Sequence, residues 1–401
     1  VKDAINYPNV RLATVAKATS DIPMDDVASP TYYSWARSSP ESITGNSTLG
    51  WKAVFSATCY FFGRDLYQSM NGTVPIGLLV SCWGGQKVET FSSADALADE
   101  TCGGTLPRAR PGGNDNYNLR EGLPYWDAAD YEDSADLADG PKSMQLWNAM
   151  IHPLLPMRFV AALWYQGEAN AQDATSYSCR FPAMITDWRV KFNLPSLSFV
   201  YVQLAGFDAG STWPWVRAAQ GAALQLPGVG MATAIDLGDP SNKANGDIHP
   251  RRKQEVGRRL ALTMRAIQYR DPVAQFSYTG PELAGVGLTS SPTHSSIVLS
   301  FRPGTAHALH LAGAAACKNC CEDPPFFVLD AIGNWTRVAK ADVRNSGDEI
   351  HLFTTVPEIF GIRYAWEARP ECILYNGMGG PDDHGGLAAA PFEWCAYPSG
   401  K

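Results

Sequence analysis

Four short apolar runs, at residues 75–80, 160–164, 199–204 and 229–235, constrain this chain more than any other feature. Each lacks the alternation of a strand with one wet face, so each reads as a strand buried on both faces. Residues 10–15 read as a fifth. Between them the period changes. Trp51, Phe55, Cys59, Phe62 and Leu66 recur every three or four positions, as one buried helical stripe does. Helical candidates follow at 181–192 and 215–226. Pro250 is expected to open the clearest helix, with Val256, Leu260, Met264 and Ile267 on one face. Strands alternating with helices give an α/β fold, a parallel sheet flanked by helices.

The texture shifts near 270–280. Short β-type runs at 297–301, 326–329, 336–339, 349–353 and 362–366 are separated by Gly, Pro and Asn-Gly turns. With 401 residues there is room for two domains, so the expected division is an α/β domain over 1–270 and a mostly β region over 271–401. Residues 95–141, rich in Gly, Pro and Asp, read as a long insertion. They hold eleven acidic residues and three Arg, which accounts for the whole net charge of −8 and leaves the remainder balanced. With no basic stripe to neutralise phosphates, nucleic acid is not an expected partner. The longest nearly apolar run, 74–83, is about half of a membrane span, so no membrane partner is expected either.

Nine cysteines and three Asn-x-Ser/Thr sites, Asn46, Asn71 and Asn334, point to an oxidising compartment, secreted or lysosomal, with sugars on those asparagines. An odd cysteine count leaves one thiol over within the chain. Cys317, Cys320 and Cys321, with His307 and His310 upstream, have some look of a zinc site, but disulfides explain such cysteines better here, so no metal is expected.

In an open parallel sheet, ligands bind beyond the carboxyl ends of the strands, and the unusual polar residues fall there. Ser81-Cys82-Trp83-Gly84-Gly85-Gln86 follows the strand at 75–80, Tyr165-Gln166-Gly167-Glu168-Ala169-Asn170 the strand at 160–164. Asp236-Leu237-Gly238-Asp239 and then Gly246-Asp247-Ile248-His249-Pro250 follow the strand at 229–235. His249, with Asp247 two residues earlier, has the makings of a base whose tautomer a carboxylate fixes. Gly84 and Gly85, lacking Cβ, are able to offer backbone N–H groups to a developing oxyanion, and Gln166 an amide donor. The bland alternatives are a helix-capping histidine, a tight turn and a solvated loop. Trp83, Trp164, Trp213 and Trp215 have the shape for stacking on sugars, although core packing serves Trp164 equally well.

The run from Trp164 to Asn170 resembles the signature of sialate O-acetylesterases, which belong to the wider SGNH (GDSL-like) hydrolases. Pro75 to Gly85 resembles their second block, and Asp247-Ile248-His249-Pro250 followed by Lys253 their last. The likeness extends from about Asn6 past Arg270 and returns at 361–366 and 390–392. It implies an SGNH-type sheet and removal of O-acetyl esters from sialic acids through a serine-bound acetyl group. His249 would then be the base, oriented by Asp247 (or Asp236 or Asp239). Gly84, Gly85 and Gln166 would hold the oxyanion, and Glu168, Asn170 and Trp83 would contact the sugar, with no cofactor. Members of that family carry the serine in a Gly-Gln-Ser-Asn-Met type motif after the first strand, ahead of the strand at 10–15. Neither Ser47 nor Ser211 has such a context. The nucleophile is therefore expected on an upstream segment or a smaller separate chain, and this chain alone is expected to be inactive. The competing expectations are an acetylesterase for other acetylated polysaccharides and a carbohydrate-binding relative without catalysis.

Overall fold

The computed structural model describes residues 1–28, 35–45, 54–98, 102, 140–244, 246–271, 278–290, 295–314, 321–344, 348–377 and 386–396. Asn46, Ser47, Trp51, Cys317, Cys320 and nearly all of the acidic insertion lie outside them.

Six strands come first: β1 (Val10–Thr14), β2 (Ala36–Arg37), β3 (Ile76–Val80), β4 (Ala161–Trp164), β5 (Ser198–Gln203) and β6 (Val229–Thr233). They alternate with helices α1 (Pro40–Thr44), α2 (Ala57–Ser69), α3 (Ala94–Leu97), α4 (Ala174–Lys191), α5 (Thr212–Gln220) and α6 (Lys253–Ile267). β1 runs parallel to β3, with the short β2 antiparallel on its other edge. β4, β5 and β6 form a second parallel set in that order. No ladder joins β3 to β4. Both sets nevertheless lie between the same two apolar layers. Leu78, Val80, Val200 and Val202 pack with Leu66 of α2 and with Val256, Leu260 and Met264 of α6. Leu79, Ala162, Trp164, Phe199 and Tyr201 face the layer of α4 and α5, which Phe181, Met184, Ile185 and Val216 fill.

Local chemistry sets the helix ends, and here the structure departs from the periodicity. The stripe from Trp51 to Leu66 suggested an earlier start for α2, but Ser56 caps it, its side chain accepting from the Cys59 N–H, so Phe55 stays outside. α4 begins seven residues before the expected 181, capped by Asp173, and runs through Pro182. α6 begins at Lys253, so Pro250 does not open it. The preceding turn is held instead by the Asn242 amide donating to the His249 carbonyl (2.7 Å) and by Arg251 gripping Asp239.

After Ile267 comes an antiparallel region. β7 (Leu283–Ser290), β8 (Ser295–Phe301), β12 (Lys340–Arg344) and β13 (Glu349–Thr354) make one sheet. β10 (Phe326–Leu329), β11 (Trp335–Arg337), β14 (Gly361–Tyr364) and β16 (Phe392–Cys395) make another, and β9 (His310–Gly313) pairs with β15 (Cys372–Tyr375). β14 stops short of the expected 366 because Ala365 takes a positive φ of 51°. The two regions touch through buried polar contacts. Arg217 of α5, fully buried, donates to the carbonyls of Glu367 and Ala368, and the Tyr375 hydroxyl reaches Asp236 at 3.3 Å.

Cys102 is bonded to Cys179 and Cys321 to Cys372. Two disulfides among the described residues fit a secreted or lysosomal protein. Among the described residues no helix is long and apolar enough to cross a membrane, and no His/Cys/Asp/Glu cluster has the makings of a metal site. Cys321 is thus committed to sulfur, and the His310 ring stacks on Tyr375 at 5.6 Å.

Candidate active site

The loops beyond β3 and β4 are clasped together. The Gln166 amide donates to the Gln86 carbonyl (3.1 Å) and to Asn170 Oδ1 (2.7 Å). Asn170 Oδ1 also accepts from the Val88 N–H (3.0 Å), while its Nδ2 donates to Glu89 (2.9 Å). Two consequences differ from the sequence expectation. Both Nε2 hydrogens of Gln166 are committed, so in this conformation it bridges two loops and offers no free donor to an oxyanion. Asn170, 2% exposed and bonded through both side-chain polar atoms, stands behind the rim and supports it.

Gly84 and Gly85 are exposed, and a Cβ on either would meet nothing within 4 Å. Space does not demand glycine there, but the φ of +73° at Gly85 does. No hydrogen bond among the described residues engages either N–H, so both can donate into the open rim. Trp83 is half-buried, with Lys17 Nζ 5.2 Å from its ring centroid. Gly167 has φ +145°, and a Cβ there would stand 3.1 Å from Gln220 Nε2 and 3.2 Å from Leu204. Gln220 in turn donates to the Gln166 carbonyl at 3.0 Å. This turn is therefore fixed from below by a buried glutamine, and any side chain at 167 would be strained and crowded.

The third loop meets the second at Glu168. Burial pushes the Glu168 carboxyl above its usual range, and Lys253 and His249 oppose that shift, so all three lie within one electrostatic neighbourhood. Lys253 Nζ sits 4.7 Å from the Tyr165 ring centroid and 3.4 Å from its hydroxyl. Burial lowers the Lys253 ammonium to about 8, with Glu168 opposing. His249 itself is exposed, its N–H donating to the Gly246 carbonyl at 3.1 Å. Asp247 is half-buried two residues away. The other candidate carboxylates are committed elsewhere. Asp236 accepts two bonds from Arg259 (2.6 and 2.8 Å), and Asp239 is gripped by Arg251, whose hydrogen bonds hold it well below the usual carboxylate range. Sequence reading gave Lys253 no role. Its signal was a lysine four residues past His249, at the first turn of an amphipathic helix.

Residues 142–266 match the family model of carbohydrate esterases described as sialic acid-specific acetylesterase. The sialate O-acetylesterase of Homo sapiens is 30% identical over 397 residues, covering 92% of this chain and 66% of that protein. The Mus musculus enzyme is 29% identical, covering 94% and 70% respectively. Over most of its length the chain is similar to the sialate O-acetylesterase family. A carbohydrate acetylesterase from Xanthomonas citri shares the fold, with a TM-score of 0.68 at 26% identity over 99% of this chain and 75% of that one. The chain spans 66% of the length of the human relative and of that from Pongo abelii. The matched segment 142–266 carries two of the three rim loops, and the Gly84–Gly85 loop reaches them through Gln166.

The remaining serines and asparagines are easily placed. Ser81 Oγ donates to the Met150 carbonyl at 2.9 Å, and Ser211 stands exposed at the start of α5. Asn71 and Asn334 are exposed on turns and sterically open to modification.

Proposed function

We propose that this chain is the large part of a serine hydrolase that removes O-acetyl esters from sialic acids, with the nucleophilic hydroxyl supplied by a segment outside these 401 residues. The observation that carries the reading is the convergence of exposed Gly84 and Gly85 amides, the Gln166–Glu168 turn and His249 on one rim. In this scheme a serine oxygen attacks the acetyl carbonyl while His249 takes its proton. The oxyanion accepts from the Gly84 and Gly85 N–H groups, and from Gln166 once it lets go of the Gln86 carbonyl. One such donor is typically worth ~3 kcal/mol. Collapse breaks the ester bond, and the sugar oxygen leaves with the proton from His249. Water then repeats the sequence and frees acetate. Asp247 is the orienting carboxylate by position, and Glu168 stands beside His249.

The sialic acid carboxylate is matched by Lys17 over Trp83, a cation beside an aromatic face at the rim. A second reading, hydrolysis of other acetylated polysaccharides, is favoured by the likeness to the Xanthomonas citri protein, which is described as a carbohydrate acetylesterase. Acetate release from O-acetylated sialic acid and from acetylated xylan separates the two. The first reading expects the sialoside to be preferred at least tenfold. Preference for xylan overturns it, and release from neither removes both.

A further inference from the structure

We infer that one water molecule is bound beneath the rim, shared by the Tyr177 hydroxyl, the Trp164 indole N–H and the Gln166 amide oxygen, and that through it Tyr177 is a positioning residue for Gln166. The effect of Tyr177 on acetate release rests on the esterase reading above; the water itself does not.

Three buried polar atoms come together there without a hydrogen-bond partner among the described residues: Gln166 Oε1, Trp164 Nε1 and Tyr177 Oη. Packing makes them neighbours. Trp164 ends β4, and Gln166 follows two residues on. Gln166 holds Asn170, which accepts from the Val88 N–H, and Val88, Trp164 and Tyr177 belong to one core layer. Phe181 of α4 stacks on Trp164 at 6.1 Å and on Tyr177 at 5.3 Å, which brings the phenol under the turn. The Tyr177 hydroxyl feels both Trp164 and Gln220, yet makes a well-formed hydrogen bond to neither. Gln220 has nothing left to offer. Its Nε2 donates to the carbonyls of Gln166 and Val202, and its Oε1 accepts from the Leu204 N–H.

The chemistry of the three atoms selects the ligand. The indole N–H only donates, the amide oxygen only accepts, and the hydroxyl does either. Turning the Gln166 amide round would set its oxygen against the Gln86 carbonyl and Asn170 Oδ1, two acceptors, so its orientation is fixed. A metal cation would meet the indole N–H. An anion would meet the amide oxygen, with the charges of Glu168 and Glu89 close to the phenol. Water suits all three. It accepts from Trp164, donates to Gln166 and shares a third bond with Tyr177, and about three bonds is usual for a buried water. The hydroxyl keeps its proton, because burial and those two carboxylates hold Tyr177 above its ordinary range.

Gln166 is then held at both ends of its amide, by Gln86 and Asn170 at the nitrogen and by the water at the oxygen. Tyr177 is wholly buried and touches no substrate. It acts on the rim through Gln166 alone. When Gln166 leaves the Gln86 carbonyl for an oxyanion, its oxygen stays anchored and the amide turns about a fixed point. Losing that anchor should slow turnover and leave substrate binding unchanged.

A crystal structure that shows ordered water, together with kinetics of the Tyr177→Phe variant, tests this on protein purified from its natural source with every chain that accompanies it. One density peak is expected within about 2.7–3.2 Å of all three atoms. Absence of that peak, or a direct bond from Tyr177 to Gln166, would overturn the water. Tyr177→Phe should lower kcat for acetate release about three- to tenfold, part of the ~10²–10³ that a missing oxyanion donor costs, with KM within about twofold. Phe181→Leu, a core change beside it, controls for lost stability and should leave kcat near wild type. Equal losses from the two variants would make Tyr177 structural only. The peak in a protein that releases no acetate would keep the water and remove the esterase reading.

Discussion

Two charged clusters lie close beneath the same rim, and they are built in opposite ways. Under β6, Asp236 and Arg259 are almost wholly buried and fully paired. Both carboxylate oxygens take guanidinium protons, Tyr375 adds a third bond, and Arg259 also reaches Glu255 (2.8 Å) and the Thr233 carbonyl (2.8 Å). Beyond β4, Glu168 and Lys253 are brought together without such cover. Burial drives the carboxyl up and the ammonium down to about 8, each toward its neutral form. Satisfied charges fasten elements together; incompletely compensated ones stay able to exchange protons near the pH of use. The first cluster joins β6, α6 and the β region. The second stands beside His249.

The largest effect expected from this contrast is on stability. Asp236→Ala leaves Arg259 as a buried charge without its main partner and should cost ~3–5 kcal/mol in urea unfolding. A loss below about 1 kcal/mol would mean that the pairing contributes little.

The next lies in pH dependence. A lysine whose folded pKa is near 8 and whose unfolded pKa is near 10.4 binds fewer protons when folded, so stability rises as pH climbs between those values. The gain, up to ~3 kcal/mol, should be absent from Lys253→Met, and the difference between the two proteins cancels other titrating groups. Parallel pH profiles for wild type and variant would place Lys253 in water.

Gly167→Ala should cost ~1–3 kcal/mol through its positive φ and the crowding by Gln220, and should loosen the Gln166 clasp. Wild-type stability in that variant would show that the turn relaxes freely. Smallest of all, Lys17→Met should raise KM for the acetylated sialoside about two- to fivefold, with no change for a neutral acetyl ester. An equal rise for both would make Lys17 a structural residue only.

The same contrast shows what the sequence could carry. All five apolar runs became strands, because a parallel sheet buries both faces and leaves an unbroken signature. Short antiparallel strands such as β9 and β15 were missed, since four residues are too few to show a period. The first third of α4, Ala-Thr-Ser-Tyr-Ser-Cys, carries no apolar stripe, and only Asp173 marks its start. At the rim, residue types at strand ends announced the three loops. What Gln166 and Asn170 bond to depends on Gln86, Val88 and Glu89, some eighty positions away, and no local pattern reports that. The Asp236–Arg259 pair is likewise made by tertiary approach, so Asp236 looked as free to serve His249 as Asp247.

The central claim is that His249 is the base of an acetyl ester hydrolase. Acetate release from O-acetylated sialic acid by the source protein, set beside its His249→Ala variant, tests it most directly. His249 is exposed, so the variant should keep its unfolding free energy within ~0.5 kcal/mol. Its rate should fall by about a thousandfold or more. An equally stable variant that still releases acetate at the wild-type rate would contradict the account.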